Sequence, residues 1–178
     1  MNAGKRMEQN WRKSCLHVPK LYYKRMNDGT ATFYGGQAQN GVRFQKENPY
    51  DCFMYLEPNL YLIELKTHKG SSLPINAIRG VQLDHLSSVM GVPGIVAGFV
   101  VHFQDKEECW FADGWRVKQY VINAERKSIP IEWFRQHGTN VALIKKVTNT
   151  EYDVKTLLLE LSGKGVHDGS KTATGVEA

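Results

Sequence analysis

Asp51, Glu64 and Lys66 are the residues of this 178-residue chain whose types and spacing best suit chemistry. The stretch LYLIELKTHKG, Leu60 to Gly70, is an apolar strand-like run that carries Glu64 and Lys66 two residues apart, hence on one face of an extended strand. Just upstream, YDCFMYL, then EPN, then LYLIELK reads as two strands around a tight turn, because aromatic and branched residues flank a Pro-Asn pair. A hairpin folded symmetrically about Glu57 and Pro58 makes cross-strand partners sum to 115, which sets Asp51 opposite Glu64. Two carboxylates and a lysine then converge at one end of an apolar hairpin. Carboxylate oxygens suit Mg²⁺ or Mn²⁺, such a metal acidifies a bound water, and a neighbouring lysine orients that water or offsets developing negative charge. That set is the equipment of metal-dependent phosphodiester hydrolysis. The same residues also fit a strand-end ion pair worth ~0 to 1 kcal/mol, with Asp51 as a turn residue.

The elements that must position these groups follow from pattern. GKRMEQNWRKS, Gly4 to Ser14, predicts a helix with Met7 and Trp11 one turn apart. LYYKRM predicts a short strand, and Asn27 to Pro49, rich in Gly, Asn, Gln and Asp, a long loop or projecting hairpin. LPINAIRGVQLDHLSSV predicts a helix opened by a Ser and a Pro, its stripe made by Ile75, Ile78, Leu86 and Val89 with Gln82 on the same side. GIVAGFVVHF is apolar enough for a central strand covered on both faces, and QDKEE turns it back into CWFA. Further helical patterns lie near Val117 to Ala124, Ile131 to His137 and Asp153 to Leu161, and the last stretch, GKGVHDGSKTATGVEA, reads as a disordered tail.

Composition sets the outer limits. An apolar content of 42% with 23% charged residues is that of a folded protein, and the length allows one full core but not two. No run approaches ~20 apolar residues and MNAGKRMEQN lacks a secretory segment, which predicts a cytoplasmic protein without a membrane partner. Cys15, Cys52 and Cys109 form no CxxC pair, and His68, His85 and His102 share no ligand spacing, so the expectation is ordinary half-buried thiols and no histidine-held metal. The net charge of +5 is uneven. Residues 1–26 hold seven Lys and Arg against Glu8, a charge of +6, leaving −1 for the other 152 residues. A basic end on a near-neutral body suits a phosphate-facing surface, and equally a solvated helix.

Taken together, GKRMEQNWRKS, YYKRMND, NPYD at Asn48 to Asp51, LYLIELKTHKGSSLPINAI and Gln82 resemble the PD-(D/E)xK nuclease superfamily, and within it the RecU-type Holliday-junction resolvases of bacteria and their phages. The likeness covers most of residues 4–90 and continues weakly beyond. It implies an α/β, restriction-endonuclease-like fold: a mixed β-sheet flanked by helices, with a projecting stalk at about 27–49, in one nuclease domain over 1–163 followed by a tail over 164–178. It also implies that Asp51 and Glu64 hold Mg²⁺, with Mn²⁺ as a substitute, that Lys66 assists the attacking water, and that Gln82 contributes to the metal site. Glu8 matches the acid of the superfamily's first helix. The family commonly has a hydroxyl residue two positions before the first aspartate, where this chain has Pro49.

The activity implied is paired symmetric nicking of four-way DNA junctions by a homodimer, in a bacterial or phage-infected cell. Phe99, Trp110 and Phe111 are available for an interface or for the core. Junction contacts are expected from Arg43 and Lys46 on the stalk, and phosphate contacts from Lys5, Arg25 and Lys69 with Ser71 and Ser72 at a helix start. Two alternatives stand beside this reading: a nuclease of the same fold acting on other DNA structures, and an inactive DNA-binding relative.

Overall fold

The computed structural model describes residues 2–26 and 48–164. Helix α1 (Ala3–Leu16) starts at Asn2, whose side chain accepts a hydrogen bond from the Lys5 amide, and it buries Met7, Trp11 and Cys15. Strand β1 (Tyr22–Arg25) follows, and the chain re-enters the described region before β2 (Cys52–Leu56) and β3 (Asn59–His68). These two form the expected hairpin. Cys52 pairs with Ile63, Phe53 with Leu62 and Met54 with Tyr61, the register in which partners sum to 115.

The next segment departs from expectation. Ser72–Pro74 is not a helix start but a short strand, β4, followed by a 3₁₀ turn over Ile75–Ala77. Helix α2 begins only at Gly80 and runs to Ser88. Leu73 is fully buried because β4 pairs with a distant partner described below, so a tertiary contact overrides the helix-opening signal of Ser and Pro. Strand β5 (Ile95–Phe103) then lies parallel to β3, and β6 (Glu108–Asp113) returns antiparallel to it.

Helix α3 (Gly114–Asn123) is capped by Asp113, which accepts from the amides of Trp115 and Arg116. Strand β7 (Ser128–Pro130) supplies the partner of β4. Helix α4 (Ile131–His137) matches its predicted span. After it come β8 (Thr139–Asn140), the β9 (Leu143–Lys145) and β10 (Thr150–Tyr152) ribbon, and α5 (Val154–Lys164). The three small strands β8 to β10 were not predicted, being too short to show a period.

The main sheet has the order β1-β2-β3-β5-β6-β8, mixed because only β3 and β5 run parallel. Both faces are covered. On one, Tyr61, Ile63, Leu65 and Val100 pack against α1 and α5; on the other, Leu62, Phe99, Val101 and Phe103 pack against α2, α3 and α4. Central strands buried on both sides must be apolar throughout, which explains the continuous run of β5 and leaves Glu64, 2% exposed in the middle of β3, as an exception requiring a reason.

Phe99 and Phe111 belong to these cores and Trp110 packs at the edge of one, so core packing is their use. The three cysteines are fully buried free thiols rather than half-buried ones. The expected stalk, with Arg43 and Lys46, lies outside the described residues, as does the tail from residue 165.

Candidate active site

Glu64 owes its position to strand alternation: Leu62, Glu64 and Lys66 point to the α2 side of β3, while Ile63 and Leu65 point to the α1 side. Its Oε1 lies 2.9 Å from Lys66 Nζ and accepts a hydrogen bond from Gln82 Nε2. Gln82 is the third residue of α2 and 1% exposed. Its own carbonyl oxygen accepts from Lys66 Nζ at 3.0 Å and from the Arg79 amide at 3.2 Å. The late start of α2 is what allows this. One glutamine caps the helix's first turn and bridges the acid and the base of β3.

Asp51 sits immediately before β2. Its amide donates to the Ile63 carbonyl at 3.1 Å, its carbonyl accepts from the Met26 amide, and its Oδ2 accepts from the Leu65 amide at 2.8 Å. The carboxylate is thereby fastened to β3 between Glu64 and Lys66. Burial raises the Asp51 carboxyl above its ordinary range, opposed by the Leu65 hydrogen bond and by Lys66, Arg25 and Arg79. Burial, followed by repulsion from Asp51, pushes the Glu64 carboxyl up to about 7, against the pull of Lys66 and Arg79.

The second oxygen of Glu64 is buried and has no hydrogen-bond partner among the described residues. A buried carboxylate oxygen left unpaired is unfavourable. Two buried acids whose proton affinities are both raised, that of Glu64 partly by Asp51, form a site that a divalent cation would stabilise. Asp51 and Glu64 therefore supply a donor set that fits a hard, oxygen-seeking metal, and the unpaired Glu64 oxygen is the observation that tests this fit.

The structure brings together Asp51, Glu64, Lys66 and Gln82, all four singled out in the sequence. It adds Arg79, which the sequence reading passed over. Arg79 precedes α2, donates to the Asn48 carbonyl at 3.5 Å, and lowers the proton affinity of both acids. The signal available was its place three residues before Gln82, the interval between a helix cap and the side chain that folds back on it.

Other candidates sit elsewhere. Glu8 on α1 forms a 2.7 Å ion pair with Arg25 of β1, and Arg25 acts on Asp51 from the neighbouring strand end. Lys5 is exposed in the first turn of α1, and Lys69 is exposed just beyond β3. Ser71 and Ser72 do not open a helix: Ser72 belongs to β4, and the Ser71 carbonyl accepts from the Ile131 amide. The helix-start amides expected of them are absent, because α2 starts eight residues later.

The fold is an α/β domain built on a mixed sheet, whose central strand carries an acid and a lysine two apart, facing a second acid across a hairpin. Comparison with known proteins is specific. The family model of Recombination protein U matches residues 58–152, more than half of the chain, and the chain belongs to that family. A relative from Bacillus subtilis (strain 168), the SPbeta prophage-derived uncharacterized protein YotM, is 29% identical over 178 residues, covering 92% of this chain and 88% of that protein. Among solved structures, Archaeoglobus fulgidus Hjc, a Holliday junction resolvase from an archaeal hyperthermophile, is similar at 15% identity, with a TM-score of 0.43 over 72% of this chain and 85% of that one.

Proposed function

We propose that the chain is a metal-dependent, structure-selective endodeoxyribonuclease that resolves four-way DNA junctions by paired symmetric nicks. The observation that carries this reading is the buried Glu64, bonded to both Lys66 and Gln82, with its second oxygen unpaired. A structural ion pair would satisfy both oxygens or leave them in water. Membership of the Recombination protein U family supports the choice of substrate.

In this reading Asp51 and Glu64 would hold Mg²⁺, or Mn²⁺ in its place, which when bound would supply an acidified water and offset charge on the phosphate. Lys66, held by Glu64 and Gln82, would offer its ammonium to the attacking water and to the scissile phosphate. Gln82 fixes Lys66 and Glu64 relative to each other. Arg25 and Arg79 add positive charge beside the acids, and with Lys5 and Lys69 they guide the phosphate backbone without reading sequence. Two symmetric cuts require two sites, so the active species is a homodimer. No helix among the described residues is long and apolar enough to cross a membrane, and we place the protein in the cytoplasm of a bacterial or phage-infected cell.

The test is cleavage of a labelled immobile four-way junction beside a linear duplex of matched sequence, in Mg²⁺, Mn²⁺ or EDTA, with wild type and Glu64→Gln. Paired nicks confined to the junction, lost in EDTA and in the variant while junction binding persists, are the expected result. Equal cutting of both substrates retains the metal site and discards junction selectivity. Binding without cleavage under either metal identifies an inactive DNA-binding relative.

A further inference from the structure

On the face of the sheet opposite Glu64, a recess of about 460 Å³ opens beside the first turn of α1. The parallel register pairs Thr67 with His102 and Lys66 with Val101. His102 therefore shares the α1 side with Leu65 and Val100, while Glu64 and Lys66 share the α2 side with Leu62 and Val101. Arg6 and Asn10, one turn apart on α1, line the recess together with His102 of β5 and Tyr152 of β10.

Two independent features point to a ligand. Asn10 is only 8% exposed, yet its side-chain amide makes no hydrogen bond among the described residues. That amide faces the water of the recess rather than the sealed core, and the Tyr152 hydroxyl is engaged with His102 Nδ1 at 3.1 Å. The second feature is uncompensated positive charge. Lys145 and Lys146 also line the recess, but each faces a carboxylate, Glu107 at 2.6 Å and Glu151 at 3.7 Å. Arg6 has no ion-pair partner among the described residues, and with burial it holds the His102 imidazole below its ordinary proton affinity. The first turn of α1, whose Ala3 reaches the recess, carries no acid either.

An unpaired guanidinium one helical turn from an amide with no partner among the described residues suits an anion with several acceptor oxygens, and the volume lies in the range of small-molecule sites. We propose that this recess binds a phosphate-bearing ligand of the nucleotide class, with Arg6 taking the phosphoryl oxygens and Asn10 a polar group of the attached nucleoside. The site is separate from the acidic cluster by the thickness of the sheet. Its ligand has two sources, a free nucleotide or a nucleotide unit of a DNA strand.

The test titrates the full chain in EDTA with a deoxynucleoside 5′-monophosphate, with the same nucleoside lacking phosphate, and with a short single-stranded oligodeoxynucleotide. Affinity is followed by calorimetry and site occupancy by the His102 ring resonances, for wild type, Arg6→Gln and Arg6→Lys. The mononucleotide is expected to shift the His102 resonances and to bind about tenfold more weakly to Arg6→Gln, the loss of one charge-assisted contact, with partial recovery in Arg6→Lys. The same pattern with the oligonucleotide alone assigns the ligand to DNA and also supports the site. Equal affinity of nucleoside and nucleotide, unchanged binding by Arg6→Gln, or His102 resonances that respond to none of the three overturns it.

Discussion

The carboxylate of Asp51 accepts a 2.8 Å hydrogen bond from the backbone amide of Leu65, the residue between Glu64 and Lys66. Because Leu65 points to the opposite core, its amide fixes Asp51 without occupying the site. Asp51→Asn keeps an acceptor for that amide and removes the charge. Two outcomes are expected: junction cleavage falls at least about 100-fold with little change in thermal stability, and the Glu64 carboxyl drops below about 7, since Asp51 repulsion is its second cause after burial. A carbon-detected NMR titration of Glu64 in both proteins checks the second; an unmoved Glu64 would show that the acids do not interact.

The raised Glu64 pKa makes folding stability depend on pH. Between its ordinary value of 4.5 and about 7, the folded state retains a proton that the unfolded chain has released. Stability is therefore greatest below the lower value, declines as pH rises through this window, and levels off above it, a change on the order of 3 kcal/mol. Asp51, also raised, adds a smaller decline of the same sign. Urea denaturation at pH 5, 6, 7 and 8 without divalent metal should show this slope in wild type and only the Asp51 remainder in Glu64→Gln. Added Mg²⁺, which favours the ionised acids, should raise the melting temperature more at pH 8 than at pH 5. Identical slopes in the two proteins would remove Glu64 as the source.

Much of this arrangement was legible because it is local. Asp51 faces Glu64 through a turn whose register follows from alternation and a Pro-Asn pair, and Glu64 and Lys66 share a face by strand geometry alone. The sequence also gives Gln82 a place on a helix, but not the start of that helix. Ser72 and Pro74 open helices in general, yet here they pair with Pro130 and Ser128, more than fifty residues away. Pro can close such a ribbon because the N–H it lacks lies on an unpaired edge. Arg79 was missed for the same kind of reason, since its effect on both acids depends on where α2 docks. The recess at Arg6 joins α1, β5 and β10, elements whose meeting no local pattern records.

The ion pair of Glu8 with Arg25 is partly exposed, and pairs of that kind contribute about 1 kcal/mol or less. Glu8→Gln should therefore melt within a few degrees of wild type. It should also bind junctions more tightly, because Arg25 gains freedom to meet phosphate. Arg25→Ala should weaken binding uniformly across sequences and reduce the slope of log affinity against log salt by about one. Fluorescence anisotropy across a salt series measures both. A slope unchanged by Arg25→Ala would place Arg25 outside the DNA-facing surface.

Gly114, the first residue of α3, holds α2 at its correct distance. A Cβ added there would lie 2.6 Å from the Leu86 carbonyl oxygen and 2.7 Å from its carbon, both backbone atoms of α2 that a side-chain rotation cannot move aside. Gly114→Ala must therefore push α2 away from α3, and α2 carries Gln82, whose two hydrogen bonds hold Glu64 and Lys66. Overpacking of this kind destabilises by about 1–3 kcal/mol, which leaves a folded protein at moderate temperature. Activity should fall further than stability, by about tenfold or more, because small displacements of positioning groups are strongly felt in rate. Single-turnover cleavage beside denaturant unfolding separates the two effects. The contrast variant is Gly80→Ala at the start of α2, where an added Cβ meets nothing within 4 Å and both stability and rate should stay near wild type. Full activity in Gly114→Ala would show that Gln82 does not need its present position to organise the site.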